Sequence, residues 1–315
     1  MHNVCLLKQS TLIPTVFHEP WWLEAATAGA YQLVECREGG NVVGRMPYLL
    51  RRDKGLMRGI MPDLTHFLGP AVAEGPGNEG TRFLRRIEIT KELIAQLPKA
   101  AFFEIKCHRG IADVVAFQEM HFRTAVQFTH EILPQPERIV WKSFRDKCRG
   151  AIRRGLHALK LERIDDPEEF MRFYEANLDE RELSNNMNRA NCLRVLRAAC
   201  EKGQGAMRGA RDRSGALVAA TFCAWDAVAA YFLLGSRKRG SDGGAISTLV
   251  WLEIKDAMER GLIFDFDGIC HAGMVHFFAG FSGAVAPRFI VRRMNLPFQV
   301  VWDIHHAFSN ERWFF

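Results

Sequence analysis

Between Ala206 and Gly261 the sequence leaves little freedom in how the chain folds. Strand-forming residues from Ala206 to Arg211 reach the turn Asp212-Arg213-Ser214-Gly215. A second run, Ala216–Trp225, turns at Asp226-Ala227, and a third, Val228–Leu234, follows. Three such runs joined by tight turns predict an antiparallel meander. A glycine-rich loop, Gly235–Gly244, then leads into an amphipathic helix from Ala245 to about Arg260, with Ile246, Leu249, Val250, Ile254 and Ala257 at helical spacing. Gly261 ends that helix, and a short strand, Ile263–Phe266, follows. The longest apolar stretch, Leu217 to Gly235, lies inside this meander and is broken by Asp226. A membrane-crossing helix needs about 20 uninterrupted apolar residues, so the stretch reads as a hairpin and no span is expected.

The N-terminal half runs in a similar order. A helix around Trp21–Ala28 precedes strands at Tyr31–Arg37 and Val42–Leu50, joined by the turn Glu38-Gly39-Gly40-Asn41. An apolar piece at Leu56–Met61 and a glycine-containing loop follow. A helix (Thr81–Leu97), a strand (Ala101–Lys106), a helix (Ile111–Glu119) and a strand (Arg123–Leu133) complete the half. Repetition of element order without residue identity suggests an old duplication. Pro134 and Pro136 mark a joint, so the expected domains are residues 1–135 and 136–315. The expected class is α+β, with mostly antiparallel sheets and flanking helices.

Composition excludes several function classes. Of 315 residues, 48% are hydrophobic and 25% charged, which rules out a disordered chain or a disulfide scaffold. The opening MHNVCLLKQSTLIPT has neither the apolar core nor the cleavage site of a secretion signal. Together with eight scattered cysteines and no CxxC pair, this predicts a cytoplasmic protein with reduced thiols. His271 and His276 beside Cys270 come nearest to a ligand cluster, but zinc needs three or four convergent ligands, and no metal is expected.

The formal net charge is +6, and the segment from Trp141 to Arg154 carries six basic residues and one acid, a net of +5. Nearly all the excess therefore sits on one predicted helix. At 100° per residue, Lys142, Arg145, Arg149 and Arg153 form a narrow stripe beside an apolar face of Trp141, Phe144, Cys148, Ala151 and Ile152. Such a run is either a solvated face or an anion-facing helix lining a phosphate or carboxylate site; the concentration of charge favours the second.

The helix pattern Trp141-x-x-Phe144-x-x-Lys147-x-Arg149-x-x-Ile152-Arg153-Arg154 resembles the GNAT superfamily, and within it the two-lobed Fem-type peptidyltransferases and their acetyltransferase-like relatives. The pairs Leu217-Val218-Ala219-Ala220 and Ala229-Ala230-Tyr231-Phe232, Gly244-Ala245 with Leu249-x-Trp251, Phe264-Asp265-Phe266-Asp267-Gly268 and the opening Phe17-His18-Glu19-Pro20-Trp21-Trp22 follow in the family's order. The resemblance covers essentially the whole chain. It implies tandem GNAT-like lobes and amide-forming acyl transfer by direct attack, with no covalent enzyme intermediate and no tightly bound cofactor. Fem-type members take the acyl group from aminoacyl-tRNA and give it to an amine on a peptide or nucleotide-linked precursor; other relatives use acyl-CoA. Two departures stand out. Phe278 occupies the place of a family lysine, with Ser282 after the second Phe of the motif. The Arg237–Gly244 loop has the glycines without a clean pyrophosphate signature.

An attacking amine must be uncharged, and positioning of the reactants can supply about 7–11 kcal/mol of the barrier, so a loud catalytic triad is unnecessary. Candidate catalytic residues are Asp265 and Asp267, expected on one face of a strand, the histidines His271 and His276, and Tyr231 as a proton donor. Donor or phosphate binding is expected at Lys142, Arg145, Arg149, Arg153, Arg237, Gly243 and Gly244, with Arg181 and Ser236 toward the substrate. Three readings remain: an aminoacyl-tRNA-dependent transferase, an acyl-CoA-dependent N-acyltransferase, and a non-catalytic lobe that binds a nucleotide-linked ligand.

Overall fold

The computed structural model describes residues 12–183, 185–241 and 244–308. In chain order it contains α1 (Pro20–Thr27), β1 (Gln32–Glu38), β2 (Asn41–Asp53), β3 (Leu56–Ile60), β4 (Ala71–Val72), α2 (Glu79–Ala95), β5 (Phe102–Lys106), α3 (Val115–Glu119) and β6 (Arg123–Ile132). Then come α4 (Glu137–Ser143), α5 (Asp146–Ala158), β7 (Lys160–Arg163), α6 (Pro167–Asp179), α7 (Arg189–Glu201), β8 (Gly205–Arg211), β9 (Leu217–Trp225) and β10 (Ala229–Arg237). The chain closes with α8 (Gly244–Glu259), β11 (Ile263–Asp265), α9 (Ala272–Phe278), β12 (Ala284–Met294) and α10 (Leu296–Phe308). No helix among the described residues is long and apolar enough to cross a membrane.

The chain divides into two compact units, Met1–Gln127 with Pro287–Phe315, and Phe128–Ala286. This differs from a division at residue 135. The first unit reclaims the end of the chain because β12 pairs antiparallel with β5, from Ile290 opposite Lys106 to Met294 opposite Phe102. In addition, α10 stacks Phe298 and Trp302 on Phe102.

Within the first unit the strand order is β1-β2-β3-β5-β12, with β4 on β2. All its pairs are antiparallel except β3–β5, which is reached through α2. One face of this sheet is covered by α2, whose Ile87, Ile89, Leu93 and Ile94 join Val34, Met46 and Phe103 in the core. The second unit orders its strands β6-β11-β10-β9-β8-β7, and its one parallel pair, β10–β11, is likewise reached through a helix, α8. The meander legible between Ala206 and Leu234 is thus β8–β9–β10, with β10 running on through Gly235, Ser236 and Arg237, residues expected in the loop. An aromatic core of Phe144, Trp251, Phe264, Phe266, Phe278 and Phe281 fills the space under α8.

Corrections to the sequence reading are local. The predicted single basic helix is two helices, α4 and α5, because Phe144 and Arg145 are extended, with ψ of 146° at both. β11 ends at Asp265, and Asp267 lies outside it with φ of 63°, so strand alternation does not place both carboxylates on one face.

The first unit buries a histidine pair. His108 is 5% exposed; its Nε2 donates to Pro70 O at 3.1 Å and its Nδ1 accepts from Gly110 N–H at 3.1 Å, which fixes the neutral tautomer. Burial holds its pKa down to about 4, and that of His18, edge-on at 5.1 Å between centroids, is also held well below the ordinary value, by burial and by His108. Both rings stay neutral when folded, whereas an unfolded imidazole takes a proton below about pH 6.5. Their contribution is therefore complete above that pH and falls away as the pH drops toward 4. Acid titration of the unfolding midpoint should show this loss, on the order of 3 kcal/mol from His108 by pH 4, and His108→Gln should flatten it. An unchanged pH slope in that variant would clear His108 of the acid response.

Candidate active site

The site is built from the departure of β10 from its neighbour. Tyr231 pairs with Asp265, where β11 stops, so β10 from Phe232 to Arg237 has no β11 partner on that side. On its other side β10 keeps its pairing with β9, but the register slips between Phe232 and Leu234, a bulge of one residue. Bulges re-aim backbone groups and occur beside active sites. Beyond the bulge lies Gly235, exposed, where a Cβ would come within 2.5 Å of Phe232 Cζ. The open edge thus offers N–H and C=O groups with little side-chain cover. Neither the bulge nor the loss of pairing has a residue-level signal except Gly235 inside a strand pattern.

The edge leads to a cluster of arginines. Arg181, which follows α6, donates through Nη2 to Arg237 O at 2.7 Å, and Arg237 donates to Ser241 O at 3.3 Å. Arg181, Arg237, Arg239 and Gly240 line an open cleft of about 350 Å³. Two residues predicted for different ligands are therefore neighbours. Ser236, 5% exposed, faces inward from the same strand. Gly243 lies outside the described residues, while Gly244 is buried at the start of α8.

A second opening, of about 650 Å³, lies beside the first turn of α8. Arg145, Lys147, Cys148, Ala151 and Arg154 line it from the α5 side, Ser247 from α8, and His276, Phe277, Gly280 and Phe281 from α9 and the turn after it. The helices α5 and α8 approach closely because Gly155 has no side chain: a Cβ there would collide with Thr248 Oγ1 and stand 3.1 Å from Gly244 O. Thr248 turns its hydroxyl back to Gly244 O at 2.7 Å.

The basic stripe divides between two roles. Arg149 points its guanidinium at the end of α4, donating to Lys142 O at 2.8 Å and to Phe144 O, and it pairs with Asp146. It satisfies carbonyls that the end of a helix leaves open. Arg153 lies over the Trp141 ring, 5.7 Å from its centroid. Lys142 is exposed on α4 and lines neither opening. Arg145 lines the groove, joined by Lys147 and Arg154, which phase on an ideal helix had left out.

The acidic and phenolic candidates hold local structure. Asp265 is fully buried; its Oδ1 accepts from Thr129 Oγ1 and from the Asp267 N–H at 2.9 Å, while Thr129 Oγ1 accepts from Gly268 N–H at 3.1 Å. Together they shape the turn in which Asp267 and Gly268 both have positive φ. Asp267 is 8% exposed. Tyr231 donates to Asp226 Oδ2 at 3.0 Å, and Asp226 accepts the N–H groups of Val228 and Ala229, closing the β9–β10 turn. His271 is the exposed N-cap of α9, and His276, five residues on, faces the groove. Among the described residues no group of three or more His, Cys, Asp or Glu side chains is placed to hold a metal ion.

One carboxyl went unnoticed in the sequence. Glu253 on α8 is 4% exposed, accepts from Thr221 Oγ1 at 3.0 Å and sits 3.2 Å from Arg208 Nε. Burial pushes its pKa up to about 7. Glu253 and Arg208 tie α8 to β8 and β9 and line neither opening.

Residues 142–272 match the family model described as an acetyltransferase (GNAT) domain. Over this segment the chain is similar to GNAT domains. Among solved structures, "Crystal structure of FemX" superposes with a TM-score of 0.64 at 12% identity, over 90% of this chain and 93% of that one. L-PGS from Bacillus licheniformis gives 0.55 at 10% identity, over 92% and 95%. A tandem GNAT protein from the clavulanic acid biosynthesis pathway gives 0.51 at 15% identity, over 87% of each chain. At these identities the likeness concerns the fold, which is of the tandem GNAT kind. No curated protein sequence matches the chain.

Two substitutions probe how α4, α5 and α8 are held together. Arg149→Gln should lower unfolding stability by about 1–2 kcal/mol through loss of its carbonyl contacts, without altering ligand affinity of the folded protein. Gly155→Ala should cost about 1–3 kcal/mol by forcing α5 from α8. Denaturant titration measures both; parental midpoints would mean that these contacts carry no weight.

Proposed function

We propose that this chain forms an amide by direct attack of an amine on an acyl group carried by aminoacyl-tRNA, with the reaction centred on the GNAT domain. The observation that carries the proposal is the groove beside α8, in which Arg145, Lys147 and Arg154 stand together with the partly exposed ring of Phe277. Cations interleaved with an aromatic ring suit the single-stranded end of a nucleic acid: the charges hold phosphates and the ring stacks a base. Transfer of an aminoacyl group is also in keeping with the name given to a structure that shares the fold, the C-terminal domain of a "Putative Lysylphosphatidylglycerol Synthetase from Agrobacterium fabrum".

In this reading the acceptor amine attacks the ester carbonyl. The C–N bond forms as the bond to the tRNA 3′ oxygen breaks. Backbone N–H groups on the open edge of β10 stabilise the oxyanion. His276, facing the groove, takes the proton released from the amine, and the leaving oxygen is protonated as the tRNA departs. Asp265 keeps the β11 turn in place, and its role is positional.

A second reading has its own observation. The unpaired stretch of β10 from Phe232 to Arg237 can hydrogen-bond an extended arm bearing amides, as in an acyl-CoA donor, with the Arg181–Arg237–Arg239 cleft toward its phosphates. A filter assay with charged tRNA pools, run beside transfer from acetyl-CoA to the same amines, separates the two. Transfer from acetyl-CoA with none from tRNA would replace the first reading by the second.

For the tRNA reading, log affinity should fall linearly with log salt, and Lys147→Gln and Arg154→Gln should each reduce that slope by about 0.7–1 with the fold intact. Unchanged slopes would detach the groove from the donor. His276→Gln should lower kcat by about 10²-fold at saturating substrates; a parental kcat would leave proton removal to solvent.

A further inference from the structure

The C-terminal helix α10 is apolar on two sides. Inward, Phe298 and Trp302 stack on Phe102 at 5.2 and 5.5 Å between centroids. Outward, Leu296, Val300, Val301, Ile304 and Phe308 fall within an arc of about 140° at 100° per residue, and they are between 50% and 86% exposed. A helix that is apolar all round is ordinarily buried, so this outer face calls for an occupant.

The surroundings of α10 indicate its chemistry. Arg58 lies over the Phe298 ring at 5.6 Å and stands opposite Phe102 in one register and Arg51 in the next. Residues directly opposite share a face of a sheet. Arg51 is therefore on the α10 side, as is Leu56, two residues before Arg58 and 47% exposed. The hairpin between β2 and β3 adds Arg52 and Lys54. Arg51, Arg52 and Lys54 are exposed and have no carboxylate partner among the described residues, whereas Asp53 pairs with Arg58 and Asp303 of α10 with Arg123. The apolar stripe is thus bordered by uncompensated positive charge.

We propose that this face docks the first unit onto an anionic lipid surface, with the α10 stripe in the acyl boundary and the Arg51–Lys54 hairpin at the headgroups. A second copy of the chain is the poorer occupant. A 13-residue helix is about 20 Å long and about 10 Å wide, a footprint far below the roughly 800 Å² that each partner of a stable interface buries. Self-association would also bring the same cations together, whereas an anionic membrane neutralises them.

Sedimentation with vesicles of phosphatidylglycerol and phosphatidylcholine, against pure phosphatidylcholine, tests this on the full chain. The parent should bind the anionic vesicles at least tenfold more tightly and release them at high salt. The double variant Val300→Glu, Ile304→Glu should lose at least tenfold in binding while its circular dichroism and thermal midpoint stay parental, since both side chains are exposed. Arg51→Gln and Lys54→Gln should each cost about fivefold. Absence of vesicle binding by the parent would overturn the proposal, as would undiminished binding by the double variant. So would a parent that is dimeric at micromolar concentration and becomes monomeric when the stripe is charged.

Discussion

The groove beside α8 depends on how closely α5 is allowed to approach α8. Gly155 sets that distance by offering no Cβ to Thr248, and Thr248 removes its own polar atom from the contact by bonding Gly244 O. With α5 so placed, Arg145, Lys147 and Arg154 face the space beside Ser247 and His276. A side chain at Gly155 would widen the interhelical gap and move three cations at once. The charge distribution of the site is in that sense a packing property.

The second constraint is the point at which β10 and β11 part. Tyr231 and Asp265 are the last pair, and each is anchored on its own strand by a buried hydrogen bond, Tyr231 to Asp226 and Asp265 to Thr129. Buried polar groups need partners, and here they are Asp226 in the β9–β10 turn and Thr129 on the adjacent strand β6. The groups that sequence reasoning selected for catalysis thus hold the place where the backbone opens. Exposure separates the two sets of residues: Asp265 and Tyr231 are sealed in the core, while Arg145, Lys147, Arg154 and His276 reach solvent.

The meander and the α8 helix were legible because each rests on a local signal: strand-forming runs, turn residues at fixed positions and helical spacing of apolar residues. The α+β class followed from them. The break between α4 and α5 was not legible. Nothing in Phe144-Arg145 forbids a helix; the extended backbone is supported by Arg149 reaching back to two carbonyls, a contact that exists only after the chain has turned. The same break changes which basic residues line the groove: Arg145 does so together with Lys147 and Arg154, which ideal helical phase left out. Strand β12 and its return to β5 also lay beyond a sequence reading, since that pairing joins residues nearly two hundred positions apart.

These two failures have one physical origin. Local propensity determines which segments become strands or helices, but side chains acting at a distance determine where they stop. In this chain the stopping devices are polar: Arg149 at the end of α4, Asp226 at the β9–β10 turn, Asp265 with Thr129 after β11. Read one at a time in a sequence, an arginine in a basic run or an aspartate beside a glycine looks equally suited to bind a ligand or to end an element. What separates them is whether a backbone group already occupies the side chain. Arg149 and Asp265 are occupied in this way, by the carbonyls that end α4 and by the N–H of the turn after β11.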